Sequence, residues 1–203
     1  MPPRLPPFLL GLLVAAYWAR VGRMVYKVHR RGGRAANLVP PTVLGRALRM
    51  VWTPIVLIWI GLPFFTAFAH DIPRVLKPMY YSPWLAWPAL AMAAACFALT
   101  LFCWKTMGRH WRMGVDPAEK NPLIITGPFA YVRHPIYALS QAMMLATMLM
   151  IPSPLMLLDG GLHLALMQLE ARLEERHMAA IHGPQYADYR AAVGRFIPRK
   201  LGG

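Results

Sequence analysis

Two groups of residues in the C-terminal half combine types and spacings that can do chemistry. The first is Arg133-His134-Pro135, at the mouth of the apolar stretch "YVRHPIYALSQAMMLATMLM" from Tyr131 to Met150. Charged and titratable groups are costly beside hydrocarbon, so their placement at such a boundary needs a reason. Proline is favoured in a first helical turn, which puts His134 near the N-cap. A helix N-terminus offers free backbone N–H groups and partial positive charge, a setting for a carboxylate or phosphate. Tyr137 falls on the same side as His134. Arg133 taken alone would reach for lipid phosphate.

The second group is His163, Met167, Glu170, Glu174 and His177, spaced alternately four and three residues apart and therefore on one helical stripe. Two carboxylates and two histidines on one face of a helix leaving an apolar region point to a polar cavity, with Glu174 facing it. Glu175 reads differently, as a surface partner of Arg172 and Arg176 worth tenths of a kcal/mol. If a hydroxyl compound were to react here it would need a base within hydrogen-bond reach, and Glu170, His163 and His177 are the candidates.

The elements that must hold these groups are apolar helices. The chain has 203 residues, 57% hydrophobic, with a formal charge of +14. Windows long enough for a bilayer crossing run from Met50 to Ala69, Trp84 to Trp104 and Ile136 to Leu158. "IPSP" at Ile151 to Pro154 breaks the last, so a helix ending near Met150 turns and returns from about Leu155 into "LEARLEERH". A weaker first span, Pro7 to Ala19, lies between Arg4 and Arg20 and carries Tyr17 and Trp18 as interfacial anchors. The expected fold is all-α: a polytopic integral membrane protein of about five spans, a single domain with N-terminal spans over 1–104 and a chemistry-bearing half over 105–203.

Eight Lys/Arg and no acidic residue occupy Arg20 to Arg49, five Lys/Arg lie between Lys105 and Arg133, and six follow Leu169. The positive-inside rule then places these segments and the C-terminus in the cytoplasm and the N-terminus outside. Topology and anionic lipid account for the net charge, so nucleic acid is not an expected partner. Cys96 and Cys103 share a helix face about 10 Å apart along the axis, too far for a disulfide. No Cys/His cluster has zinc spacing, and no phosphate-cradling glycine loop occurs.

"GPFAYVRHPIY" followed, after a helical hairpin, by "EERHMAAIHGPQYADYRAAVGRFIP" resembles the isoprenylcysteine carboxyl methyltransferase family. The wider group of integral membrane methyltransferases, with phospholipid N- and thiol S-methyltransferases, is similar. The resemblance spans roughly Trp104 to Pro198. It implies S-adenosylmethionine at the cytoplasmic ends of the last helices, under the C-terminal segment, and a lipophilic acceptor from the bilayer. By position, Asn121, Pro122, Leu123 and Ile124 would line the nucleoside site with Phe129 as its aromatic residue. His134, Pro135, Ile136 and Tyr137 would hold the methionine end, and Glu174 the ammonium or ribose hydroxyls. Arg133 would orient the acceptor. One position departs: where the family carries an acceptor-site arginine four residues before the glutamate, this chain has Glu170, which would repel a carboxylate acceptor and either steer a cationic amine or act as a base. Two other readings exist, a small non-enzymatic transporter or assembly protein and an NADPH-dependent, sterol-reductase-like enzyme. The length of 203 residues goes against the reductase.

Overall fold

The computed structural model describes residues 4–30, 42–69, 72–114 and 122–199. Among these described residues six α-helices follow in order: α1 (Leu5–Arg30), α2 (Val43–Phe68), α3 (Pro83–Met107), α4 (Pro135–Met150), α5 (Pro154–His182) and α6 (Pro184–Ala192). Short 3₁₀ turns occupy Gly108–His110 and Gly127–Ala130. Among the described residues the only extended pairing is an isolated parallel bridge between Val132 and Gly194.

Helices α1, α2 and α3 are each long and apolar enough to cross a membrane, whereas α4 is a shorter apolar helix of 16 residues. The first helix is twice the length of its apolar window. Val21 and Met24 stay buried beyond Ala19 while Arg20, Arg23, Lys27 and Arg30 are turned outward or half-exposed, so the helix continues as an amphipathic rod. The outer faces expose large apolar side chains, among them Leu57 (64%), Leu99 (54%), Phe102 (53%) and Leu158 (61%). So much apolar surface on the outside of a folded bundle suits lipid rather than water.

Packing is closest between α3 and α4. The buried face of α3 is Ala86, Ala89, Ala93, Cys96, Thr100 and Cys103, small residues at alternating steps of three and four. Small residues let helix backbones approach closely where lipid removes the hydrophobic drive for association. In the same core α4 buries Met143, Met144, Ala146 and Met150. The "IPSP" hairpin is a tight link in which Ser153 caps α5 by accepting from Met156 N–H at 3.2 Å. Both cysteines are buried and free.

Candidate functional site

The Gly127–Ala130 turn, the start of α4, the polar end of α5 and the C-terminal tail converge at one end of the bundle. Gly127 has φ 60°, a left-handed conformation that releases the chain into the turn before Pro128. The tail then runs alongside: Arg133 N–H donates to Gly194 O at 2.8 Å and His134 N–H to Arg195 O at 3.0 Å. A Cβ on Gly194 would collide with the Ile197 carbonyl, so this return of the chain requires glycine. The Tyr189 hydroxyl donates to Phe129 O at 2.6 Å, which fastens α6 to the turn.

Glu175 is the centre of the charge arrangement. It is 5% exposed and accepts from Arg133 Nε (3.1 Å) and Nη2 (2.8 Å) at one oxygen. Arg195 forks across both oxygens, Nε to Oε1 at 2.9 Å and Nη2 to Oε2 at 2.6 Å. His134 Nε2 lies 3.3 Å from the same carboxylate, and its Nδ1 lies 3.5 Å from Glu174. Burial pushes the Glu175 carboxyl up, but the bonds from His134, Arg195 and Arg133 prevail and hold it well below the usual range. Burial likewise pushes His134 down, and Glu174 and Glu175 more than offset it, so the imidazole titrates above its ordinary value. Glu174 is held low, its burial outweighed chiefly by His134.

This geometry corrects two expectations. Glu175 is no surface partner of Arg172 and Arg176: the fully buried seam of α5 runs His163, Met167, Ala171, Glu175, and Glu170, Glu174 and His177 flank it. Arg133 is not turned toward an acceptor, because its remaining donor, Nη1, goes to the Arg190 carbonyl (3.2 Å) and to that of Val193. It clamps the tail over the site.

Beneath the tail lies a cleft open to solvent. Pro122, Leu123, Ile124, Phe129, His134, Tyr137 and Glu174 all line it. His177, Tyr186 and Tyr189 complete the wall, and burial raises the Tyr186 phenol to about 12. No side chain caps α4 at His134, leaving the first-turn amides of Ile136 and Tyr137 without a side-chain partner. Pro135 is buried in the first turn, and Asn121 lies outside the described residues.

A second cavity opens between α1, α2, α3, α4 and α5. Ile136 and Glu170 belong to it, and Tyr137, Arg112 and Gly114 border both spaces. Its wall holds Trp18, Trp52, Trp104, Trp111, Arg49 and Ser140. Sequence reasoning missed Arg49, Arg195 and the tryptophans. Arg195 sits in the tail's alternation of aromatic and basic residues, which was a usable signal, whereas Arg49 reads as one more topogenic cation.

With this geometry in hand, the profile of the phospholipid methyltransferase family matches residues 78–185, more than half of the chain. The chain belongs to the phospholipid methyltransferase family. This family falls within the group of integral membrane methyltransferases that includes the isoprenylcysteine enzymes, which agrees with the resemblance carried by the two motifs. Membership and three membrane-length apolar helices together make it a methyltransferase of the membrane. No curated protein matches the chain. Among the described residues no group of His, Cys, Asp and Glu is arranged to hold a metal ion.

Proposed function

We propose that this phospholipid methyltransferase family member uses S-adenosylmethionine, bound in the cleft under the tail, to methylate a lipophilic acceptor lodged in the second cavity. The observation that carries the reading is the donor set of the cleft. A zwitterionic amino acid joined to a nucleoside needs an anion site, an acid and an apolar slot within one space. The uncapped N-terminus of α4 suits the carboxylate. Glu174, half-buried and held ionised, suits the ammonium or ribose hydroxyls. Leu123, Ile124 and Phe129 supply the slot.

The cofactor would supply an electrophilic methyl group on a sulfonium. The protein's own task is alignment and exclusion of water. Tyr137 stands where the two cavities meet, stacked on His134 with ring centroids 5.4 Å apart. Arg133, Glu175 and Arg195 hold the roof, and the second cavity opens among helices whose outer faces suit lipid. We place the cleft and the C-terminus in the cytoplasm, on the distribution of arginine and lysine.

The test is calorimetric titration of the detergent-purified protein with S-adenosylhomocysteine. Saturable binding is expected in the wild type and at least about tenfold weaker binding in Glu174→Ala, about 1.4 kcal/mol. No binding by folded protein would overturn the cofactor assignment, and binding of NADPH in its place would favour a reductase.

A further inference from the structure

The second cavity describes its occupant through groups it leaves unpaired. Four buried donors on its wall have no hydrogen-bond partner among the described residues: the indole N–H groups of Trp18, Trp52 and Trp104, and Nε of Arg49. A buried donor left unsatisfied costs about 1–3 kcal/mol, so four around one space call for an occupant that brings acceptors. An ammonium brings only donors and would leave all four unpaired. The charged groups on the wall are Arg49, Arg112 and Glu170. Arg49 is further engaged over the Trp52 ring, 5.2 Å from its centroid. The surrounding aromatic faces favour a flat ring.

A neutral acceptor must lose a proton when it is methylated, and the cavity has a place to send one. Ser140 lines the wall, and His163 Nε2 lies 3.2 Å behind its hydroxyl. His163 is fully buried, and its Nδ1 has no partner. The Trp59 ring faces it from α2 at 5.1 Å, and Tyr17 reaches Ser140 from α1. Asp159, one turn earlier on α5, is 2% exposed, with Oδ2 also unpartnered. Residues four apart on a helix are neighbours, so Asp159 and His163 share one face of α5. Ionisable groups at this depth are expensive to retain for packing alone.

We propose that the acceptor is an uncharged phenol carrying a lipophilic tail, with its hydroxyl at Ser140 and His163 taking its proton through Ser140. This rests on the methyl-transfer reading above and adds the acceptor class and the fate of the proton. The phenol oxygen forms its bond to the methyl carbon as the carbon–sulfur bond of the sulfonium breaks, the bonding pair remaining on sulfur. The phenol O–H breaks, its proton goes to Ser140 Oγ, and the Ser140 proton passes to His163 Nε2. The products are an aryl methyl ether, a thioether and an imidazolium. Ser140 is the catalytic residue, and His163 acts through it.

The experiment presents the full-length protein with 4-nonylphenol, nonylamine and decanoate, scoring methylated product by mass spectrometry. Alongside runs 4-nonyl-2-nitrophenol, which is largely ionised in mildly alkaline buffer and has no proton to pass on. The expected result is methylation of 4-nonylphenol in preference to the amine and the carboxylate. His163→Gln should lower kcat for 4-nonylphenol about 100-fold, with KM little changed, and lower it far less for the nitrophenol. Binding of S-adenosylhomocysteine should stay within about twofold of wild type, about 0.4 kcal/mol. If His163→Gln does not bind it, Ser140→Ala decides, with the same contrast between the two phenols expected. Preference for nonylamine or decanoate would overturn the acceptor class, and equal losses on both phenols would overturn the proton route. Failure of the wild type to bind S-adenosylhomocysteine would instead overturn the methyl-transfer reading beneath.

Discussion

Glu175 organises the site because it is the one buried anion that two arginines share. Removing it would leave Arg133, 8% exposed, without a counter-charge, and breaking a buried pair from one side costs about 3–5 kcal/mol. Glu175→Ala should therefore free the tail, seen as faster tryptic cleavage after Arg195 and Arg199 with the helical content unchanged. The pH dependence of docking has two signs. His134 is raised above its ordinary 6.5, so its contribution is complete below that value and lost as pH climbs through the higher folded one. Glu175 is depressed below 4.5, so its contribution is present above that value and lost only in strong acid. Tail cleavage should thus accelerate from neutral to alkaline buffer in the wild type, once corrected for the protease's own profile. His134→Gln should start faster and stay flat. A wild-type rate independent of pH would remove His134 from the clamp. The sequence led to the right turn of α5, since Glu174 does line the cleft. It misassigned the neighbouring carboxylate because Arg172 and Arg176 lie closer in sequence than Arg133 and Arg195, the partners that folding brings to it.

At the scale of elements, the position of the site depends on how closely α4 lies on α3, and that depends on side-chain volume. Ala93 is fully buried midway along the small-residue seam. Ala93→Leu would insert side-chain bulk into a packed contact, costing about 1–3 kcal/mol, and would displace the α4 N-terminus relative to α5. We expect a lower midpoint of thermal unfolding in detergent and weaker S-adenosylhomocysteine binding. The same change at lipid-facing Ala98 should be near neutral, its side chain being exposed. The helices themselves were legible wherever apolar residues ran unbroken, and "IPSP" correctly marked the hairpin. The length of α1 was not, because an averaged hydropathy window reads Arg20, Arg23 and Lys27 as an end. The inner face of that helix, Val21, Met24, Val25 and Val28, goes on packing against the core. The second cavity was hidden for a related reason. Its walls come from five helices, and tryptophans read singly as membrane-interface anchors become a binding surface only when the bundle closes.

For the whole molecule, the polar cleft lies at one end of an apolar bundle, and one membrane face must supply the water-soluble cofactor we propose for it. The ends of the chain's basic segments mark that face. Arg20, Arg23, Lys27 and Arg30 close α1, Arg46 and Arg49 open α2, Lys105 sits in the last turn of α3, and Arg109 and Arg112 follow its end. Arg133 lines the cleft itself, and Arg195 shares its partner Glu175. The link between α2 and α3 carries only Arg74 and Lys77 between its described ends, and the "IPSP" hairpin carries no basic residue. Met79 N–H donates to Pro152 O at 3.0 Å and Leu155 N–H to Val75 O at 3.0 Å, so these two weakly charged connections meet at the opposite end of the bundle. Charge asymmetry and packing thus divide the molecule in the same way. A C-terminal green fluorescent protein fusion should fluoresce, and an N-terminal epitope should be accessible to antibody on unpermeabilised cells. Reversing the basic bias, by changing Arg20, Arg23, Lys27 and Arg30 to Gln while adding lysines to the α2–α3 link, should produce a mixed population in which only correctly oriented copies bind S-adenosylhomocysteine in the intact cell. Cytoplasmic exposure of the N-terminal epitope in the wild type would reverse the orientation and require an extracytoplasmic source of the methyl donor.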